Sequence, residues 1–216
     1  MLEQANGRLQ MNSALLRSTQ PSLRNPNFRV VWPSPSALPA ARKSASAFSS
    51  SEEPLLIKNF DYPFFLRSSN LVRKTTPSEG LASLELTLMP LSGCHTGINE
   101  AGVAITYNYG YGQDKPEHWL PVSLRVQEAL RTCESAQAVV DFFKTGLQAG
   151  GAILTVLDAQ GEMFLLELSS SVVEAKRINQ NLLIATNHYQ LPQLLSHDIP
   201  VKAYYNPLKS VPELAG

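Results

Sequence analysis

The stretch CHTGINEAGVAITYNYG at 94–110 sets an asparagine amide, Asn108, on the small-residue face of a short strand. Val103, Ile105, Tyr107 and Tyr109 alternate with Ala104, Thr106 and Asn108, the period-two signature of a half-buried strand. An amide in that place can be offered to a substrate, or it can satisfy a neighbouring backbone group. Lys58 and Asp61 supply a cation and a carboxylate close together, and by residue type alone they read as an ion pair at a strand end. Asn59 and Asn99 suit turns and backbone-satisfying bonds better than catalysis. His188 is a polarising group or a structural histidine. Cys94 and Cys133 have no metal-type spacing with each other or with His95, His118, His188 and His197, so no metal site is expected. The two thiols are read as buried and free, with a disulfide between them as the alternative.

These side chains need elements to hold them. A tight turn at 99–102, with Gly102 able to take a positive φ, closes two strands of the 94–110 segment into a hairpin. Residues 55–62 read as a buried strand ended by Pro63, and 84–89 as a second strand by alternation. Pro121 suits the first position of a helix over 122–131. Ser135 suits the cap of a second helix running to Gln148, where Gly150 and Gly151 break it. Strands follow at 152–157, 163–168, 172–178 and 182–186, the first two joined by the turn at 158–161. Residues 190–216 are punctuated by proline and carry no clear element. Strands, two consecutive helices and then strands predict antiparallel α+β layers rather than a doubly wound parallel sheet.

The 216 residues suit one domain with a tail, at 44% hydrophobic and 17% charged residues. A formal net charge of zero gives no whole-chain attraction to nucleic acid or an anionic membrane surface, and no apolar run approaches the length of about 20 residues that spans a bilayer. Residues 1–51 hold one acid, Glu3, against Arg8, Arg17, Arg24, Arg29, Arg42 and Lys43, with many Ser, Pro and Ala. Such a composition is read as disordered or loosely attached. It also has the Arg- and Ser-rich character of an organellar transit peptide, although Pro21, Pro26, Pro33, Pro35 and Pro39 oppose the amphipathic helix such a peptide needs. The folded domain is expected over 52–216. Compartment is weakly determined, with the cytoplasm favoured.

Four segments in order resemble the acyl-coenzyme A:6-aminopenicillanic acid acyltransferase family, the C45 peptidases, which stand with the choloylglycine hydrolases among the N-terminal-nucleophile (Ntn) hydrolases. They are LLIKNFDYP at 55–63, GINEAGVAITYNYG at 97–110, GGAILTVLDAQGEMFLLELS at 150–169 and ATNHY at 185–189. The stretch PVSLRVQEALRTCESAQAVVDFF at 121–143 is similar to the family's helix pair. The resemblance covers about residues 45–200 and implies an αββα sandwich of antiparallel sheets that cleaves or transfers at a linear amide bond. It also implies that this chain is incomplete at its C-terminal end, because family members continue beyond the ATNHY segment.

Such enzymes attack with the side chain of the first residue of the processed chain and use its free α-amine as base. Donors aimed at the oxyanion stabilise the tetrahedral intermediate by roughly 2.7–4 kcal/mol each. By resemblance, Asp61 is the carboxylate that holds the nucleophile's amine. Lys58 stands where the family more often has Arg, keeping the charge and losing the planar fork. Asn187 is the oxyanion donor, and Asn108 a second asparagine near the substrate. The nucleophile is where the resemblance breaks. The family's Cys falls about 13–18 residues before the strand motif, and here the window at 41–49, ARKSASAFS, contains no cysteine. SAF at 46–48 resembles the residues that come after the nucleophile, which puts Ala45 at the Cys position. Ser44 or Ser46 is the remaining hydroxyl nucleophile if the chain is processed there, and plain linker if it is not.

The expected function is a C45-like hydrolase or acyltransferase acting on linear amide C–N bonds of an acylated amine or amino acid. The alternative is a catalytically inactive or fragmentary family member that retains at most a binding role. The partner implied is a small acyl-amide substrate, with no cofactor, nucleic acid or membrane called for.

Overall fold

Alternation along 103–109 sorts side chains between two cores, and the architecture grows from that division. The computed structural model describes residues 55–59, 69–90, 92–115, 120–146, 148–179 and 182–198, together with the strand backbones at 29–31 and 45–49. The elements in chain order are β1 (Arg29–Val31), β2 (Ala45–Ser49), β3 (Leu55–Asn59), β4 (Asn70–Thr75), β5 (Ser83–Leu88), β6 (Thr96–Asn99) and β7 (Ala104–Gly110). Then come helices α1 (Val122–Thr132) and α2 (Ala136–Lys144), and strands β8 (Gly151–Leu157), β9 (Met163–Leu168), β10 (Val173–Arg177) and β11 (Leu182–Ala185).

Among the described residues, seven strands make an antiparallel sheet in the order β10-β9-β8-β7-β6-β5-β4, and four make a second sheet in the order β1-β3-β2-β11. Pairing in the second sheet is antiparallel except for β1 beside β3. Helices α1 and α2 cover one face of the larger sheet. Val126, Ala129 and Leu130 of α1 and Val139, Val140 and Phe143 of α2 pack there with Val103, Ile105, Leu154 and Leu166. Each large apolar side chain buried this way contributes about 1.5–3 kcal/mol. The other face meets the smaller sheet, where Leu56, Leu183 and Ala185 lie against Ala104, Ile153, Leu157 and Leu165. Strands β8 and β9, apolar on both faces, are buried throughout because they have a core on each side. The α+β class and antiparallel layering match the expectation. The described helices supply the helical layer on the larger sheet.

The hairpin turn forms as the residues predict, with Gly102 at φ 86° and Asn99 as its anchor. Asn99 Nδ2 donates to Leu130 O at 3.0 Å and Cys133 O at 2.8 Å, and its Oδ1 accepts from Val103 N at 2.9 Å. Ser135 caps α2 through Ala138 N at 3.1 Å, a bond worth about 1 kcal/mol. Cys94 and Cys133 are free and buried.

Several boundaries differ from expectation. Pro121 is the residue before the helix, with ψ at 140°, rather than its first turn. Helix α2 stops at Lys144, with Thr145 as its C-cap, short of the expected Gln148. The Gln148 side chain accepts from Arg125 Nη1 at 2.5 Å and donates to Ser169 O at 2.9 Å. Arg125 Nη2 also takes the Phe142 carbonyl at 2.7 Å, satisfying an acceptor at the helix end. Within the segment 1–51, read as disordered or loosely attached, Arg29–Val31 and Ala45–Ser49 pair as strands on either side of Leu55–Asn59. Their sheet partners supply the order that their composition does not.

Candidate active site

Register places the candidate residues of the smaller sheet in one row. On β2, Ser46 stands opposite Lys58 of β3 on one side and Ala185 of β11 on the other. The facing row on the larger sheet runs from Asn108 of β7 through Ile153 of β8 to Glu167 of β9. Hydrogen bonds join the two rows. Lys58 Nζ donates to Asn108 Oδ1, and Asn108 Nδ2 donates to Ala185 O at 3.1 Å. Lys58 and Asn108 are 1% and 0% exposed, so this contact is sealed between the sheets. Burial lowers the Lys58 pKa to about 7. His95 falls to about 4, through its own burial and then the Lys58 charge.

Beyond β11 the chain crosses the end of the larger sheet, strand by strand. Asn187 Nδ2 donates to Tyr109 O of β7 at 2.7 Å. A primary amide carries two N–H donors, so this bond orients Asn187 and leaves a second N–H for another acceptor. Tyr189 comes next, its ring buried and its hydroxyl donating to Leu168 O of β9 at 2.6 Å. Glycine makes this passage possible. A Cβ on Gly151 would sit 2.2 Å from the Tyr189 hydroxyl oxygen, and one on Gly110 would sit 3.1 Å away. The Glu167 carboxylate then accepts from Gln190 N at 2.7 Å and Leu191 N at 2.8 Å. Thr186 Oγ1 and His188 Nδ1 lie 2.6 Å apart on the exposed side.

The outer end of this segment is tied down by a second carboxylate cluster. His197 Nδ1 and Ser171 Oγ contact the two oxygens of Asp114 at 2.7 and 2.5 Å. Burial works against ionisation of Asp114, but hydrogen bonds from Ser169, Ser171 and His197, with the His197 charge, outweigh it and hold its pKa at about 2.

Of the residues singled out in the sequence, Lys58, Asn108 and the Ser46 backbone position come together, with Asn187 bonded to the residue after Asn108. Asp61 lies outside the described residues. So does Ser44, while Ala45 is described as backbone opposite Asn59. Asn108 is engaged at both its oxygen and its nitrogen inside the protein, and Asn99 is an internal anchor. His188 reaches the exposed Thr186 hydroxyl rather than a buried partner. Glu167 and Tyr189 escaped the sequence reading. The available signal was a lone carboxylate in the otherwise apolar run MFLLEL, a buried charge that must find partners. Among the described residues, no group of three or more His, Cys, Asp or Glu side chains is arranged to hold a metal ion. Nor is any described helix long and apolar enough to cross a membrane.

Residues 49–206 match the model of the acyl-coenzyme A:6-aminopenicillanic acid acyl-transferase family. The chain belongs to this family. An N-acylethanolamine-hydrolyzing acid amidase ortholog from Caenorhabditis elegans shares the fold at a TM-score of 0.54 and 18% identity, over 68% of this chain and 70% of that one. A conjugated bile acid hydrolase variant from Clostridium perfringens matches at a TM-score of 0.42 and 14% identity, over 71% of this chain and 48% of its own. A penicillin V acylase from Agrobacterium tumefaciens matches at 0.42 and 13%, over 66% and 44%. This chain therefore spans less than half the length of the latter two. The family is named for acyl transfer, and the acid amidase shares the two-sheet α+β fold.

Proposed function

We propose that this member of the family is a C45-like hydrolase or acyltransferase for linear amides of an acylated amine or amino acid. The observation that carries the reading is the meeting of Lys58, Asn108 and Ala185 with the register position of Ser46. Ser46, once exposed as the first residue by cleavage of the Ala45–Ser46 bond, attacks the substrate carbonyl carbon through Oγ and passes its proton to its own α-amine. Asp61 holds that amine. Asn187 donates its second N–H to the oxyanion. Collapse of the intermediate breaks the C–N bond, and the departing amine takes the proton. Water, or an acceptor nucleophile in acyl transfer, then attacks the acyl carbon of the Ser46 ester, breaking the C–Oγ bond, releasing the acid or the transferred acyl product and returning the proton to Oγ. Asn108 serves here by holding Lys58 and the end of β11, since its polar atoms face those partners.

The test is intact-mass measurement and N-terminal sequencing of the purified full chain, together with turnover of a panel of N-acyl amines and N-acyl amino acids. The expected result is a new N-terminus at Ser46 and amide cleavage that Asn187→Ala slows by about 100- to 1,000-fold. An unprocessed chain without turnover refutes the reading. The absence of cysteine from 41–49 favours a second reading, an inactive member that binds acyl amides. Under that reading Ala45→Cys confers processing and hydrolysis, and turnover by the unaltered chain refutes it.

A further inference from the structure

We infer that Glu167 is a positioning residue for Asn187, setting the amide's direction by clamping the backbone just C-terminal to it. This rests on the reading of Asn187 as the oxyanion donor. Glu167 is fully buried on the larger sheet, in the row that begins at Asn108 and two strands away from it, which is about 10 Å at normal strand spacing. A carboxylate taken out of water needs donors, and the described donors to it are the N–H groups of Gln190 and Leu191, one on each oxygen. The 186–191 segment is thereby held at three successive strands. Tyr109 O of β7 takes the Asn187 amide, and Gly151 of β8 receives the Tyr189 hydroxyl end. On β9, Leu168 O accepts from that hydroxyl and the Glu167 carboxylate holds Gln190 and Leu191. Asn187 lies only three residues before Gln190. The clamp and the seated Tyr189 ring fix the backbone from which the Asn187 side chain springs, and the bond to Tyr109 O then fixes the direction of its amide. Burial raises the Glu167 pKa and the two N–H donors oppose that rise; with the carboxylate ionised, such charge-assisted bonds are about twice as strong as neutral ones.

The experiment uses the full chain labelled with nitrogen-15, in wild-type, Glu167→Gln and Glu167→Ala forms. Asn187 side-chain amide resonances are identified by their loss in Asn187→Asp. Glu167→Ala is expected to speed hydrogen exchange at Gln190 and Leu191 by about tenfold or more, the factor that corresponds to 1.4 kcal/mol. It is also expected to shift or broaden the Asn187 amide pair, while β7 and β8 amides keep their protection. Glu167→Gln retains one acceptor and is expected to give a partial effect, so the test survives if the alanine form does not fold. On an amide substrate, kcat is expected to fall about 10- to 100-fold with KM nearly unchanged, as for a small misplacement of a reacting group. Unchanged protection at Gln190 and Leu191, or unmoved Asn187 resonances in the folded variants, overturns the inference. A wild-type chain without turnover whose Asn187 resonances still respond to Glu167 refutes the proposed activity and leaves the positioning role standing.

Discussion

Burying Lys58 makes stability depend on pH in a direction opposite to that of an ordinary surface ion pair. Its pKa is lowered from 10.5 to about 7 by burial. Below pH 7 folded and unfolded chains both carry the proton, so the folded state bears the full desolvation cost. Between pH 7 and 10.5 the folded state binds fewer protons than the unfolded one, and stability rises with pH. Above 10.5 neither state is charged and the cost is gone. At 1.36 kcal/mol per pH unit, the gap between 10.5 and about 7 amounts to about 5 kcal/mol, of which about 2 kcal/mol is recovered between pH 7 and 9. Lys58→Met keeps the length of the side chain and removes its titration. It also leaves Asn108 Oδ1 without its lysine, a cost of about 1–3 kcal/mol that does not vary over this range. Absolute stability of the variant is therefore not diagnostic, but its pH dependence is. Urea unfolding of both proteins at pH 7, 8 and 9 should show wild type gaining about 2 kcal/mol relative to Lys58→Met. For a chain of this size that is about 4–8 °C in Tm. Parallel stabilities of the two proteins across this range would refute the argument that Lys58 titrates while buried between the sheets.

Gly151→Ala should destabilise by about 1–3 kcal/mol in chemical denaturation, because its Cβ would meet the Tyr189 hydroxyl at 2.2 Å and Gly110 O at 2.6 Å. A neutral result would mean that Tyr189 moves freely. Asn99→Ala should cost about 3 kcal/mol by the same measurement, since it strips partners from two carbonyls and the Val103 N–H. Asp114→Asn should blunt acid unfolding. The wild-type carboxylate contributes stability above its ordinary range that is lost as pH falls through about 2, and acid titration by circular dichroism compares the two. Cys94, whose thiol burial pushes well above its usual pKa, should resist thiol reagents in the folded protein and react on unfolding; rapid native labelling contradicts its placement.

Residue pattern alone determined the hairpin around Gly102, the faces of 103–109, the helix pair after Pro121 and the antiparallel run of strands, because each rests on local periodicity and turn chemistry. The ordered motifs also carried the family. Strands β2 and β4 were not legible: Ala45–Ser49 lacks a hydrophobic pattern of its own and is ordered by the neighbours it pairs with. Pairing of β2 with β11, separated by well over a hundred residues, is a decision of the tertiary fold, and it alone brings position 46 beside Ala185. Asn108 was recognisable as an amide on a small-residue face, but only the stacking of two sheets showed that it holds Lys58. Glu167 was one charge in an apolar strand until the folded chain returned Gln190 and Leu191 to it. Local sequence sets which way a side chain points. Which partner it meets depends on contacts between distant segments, whose energies no short window contains.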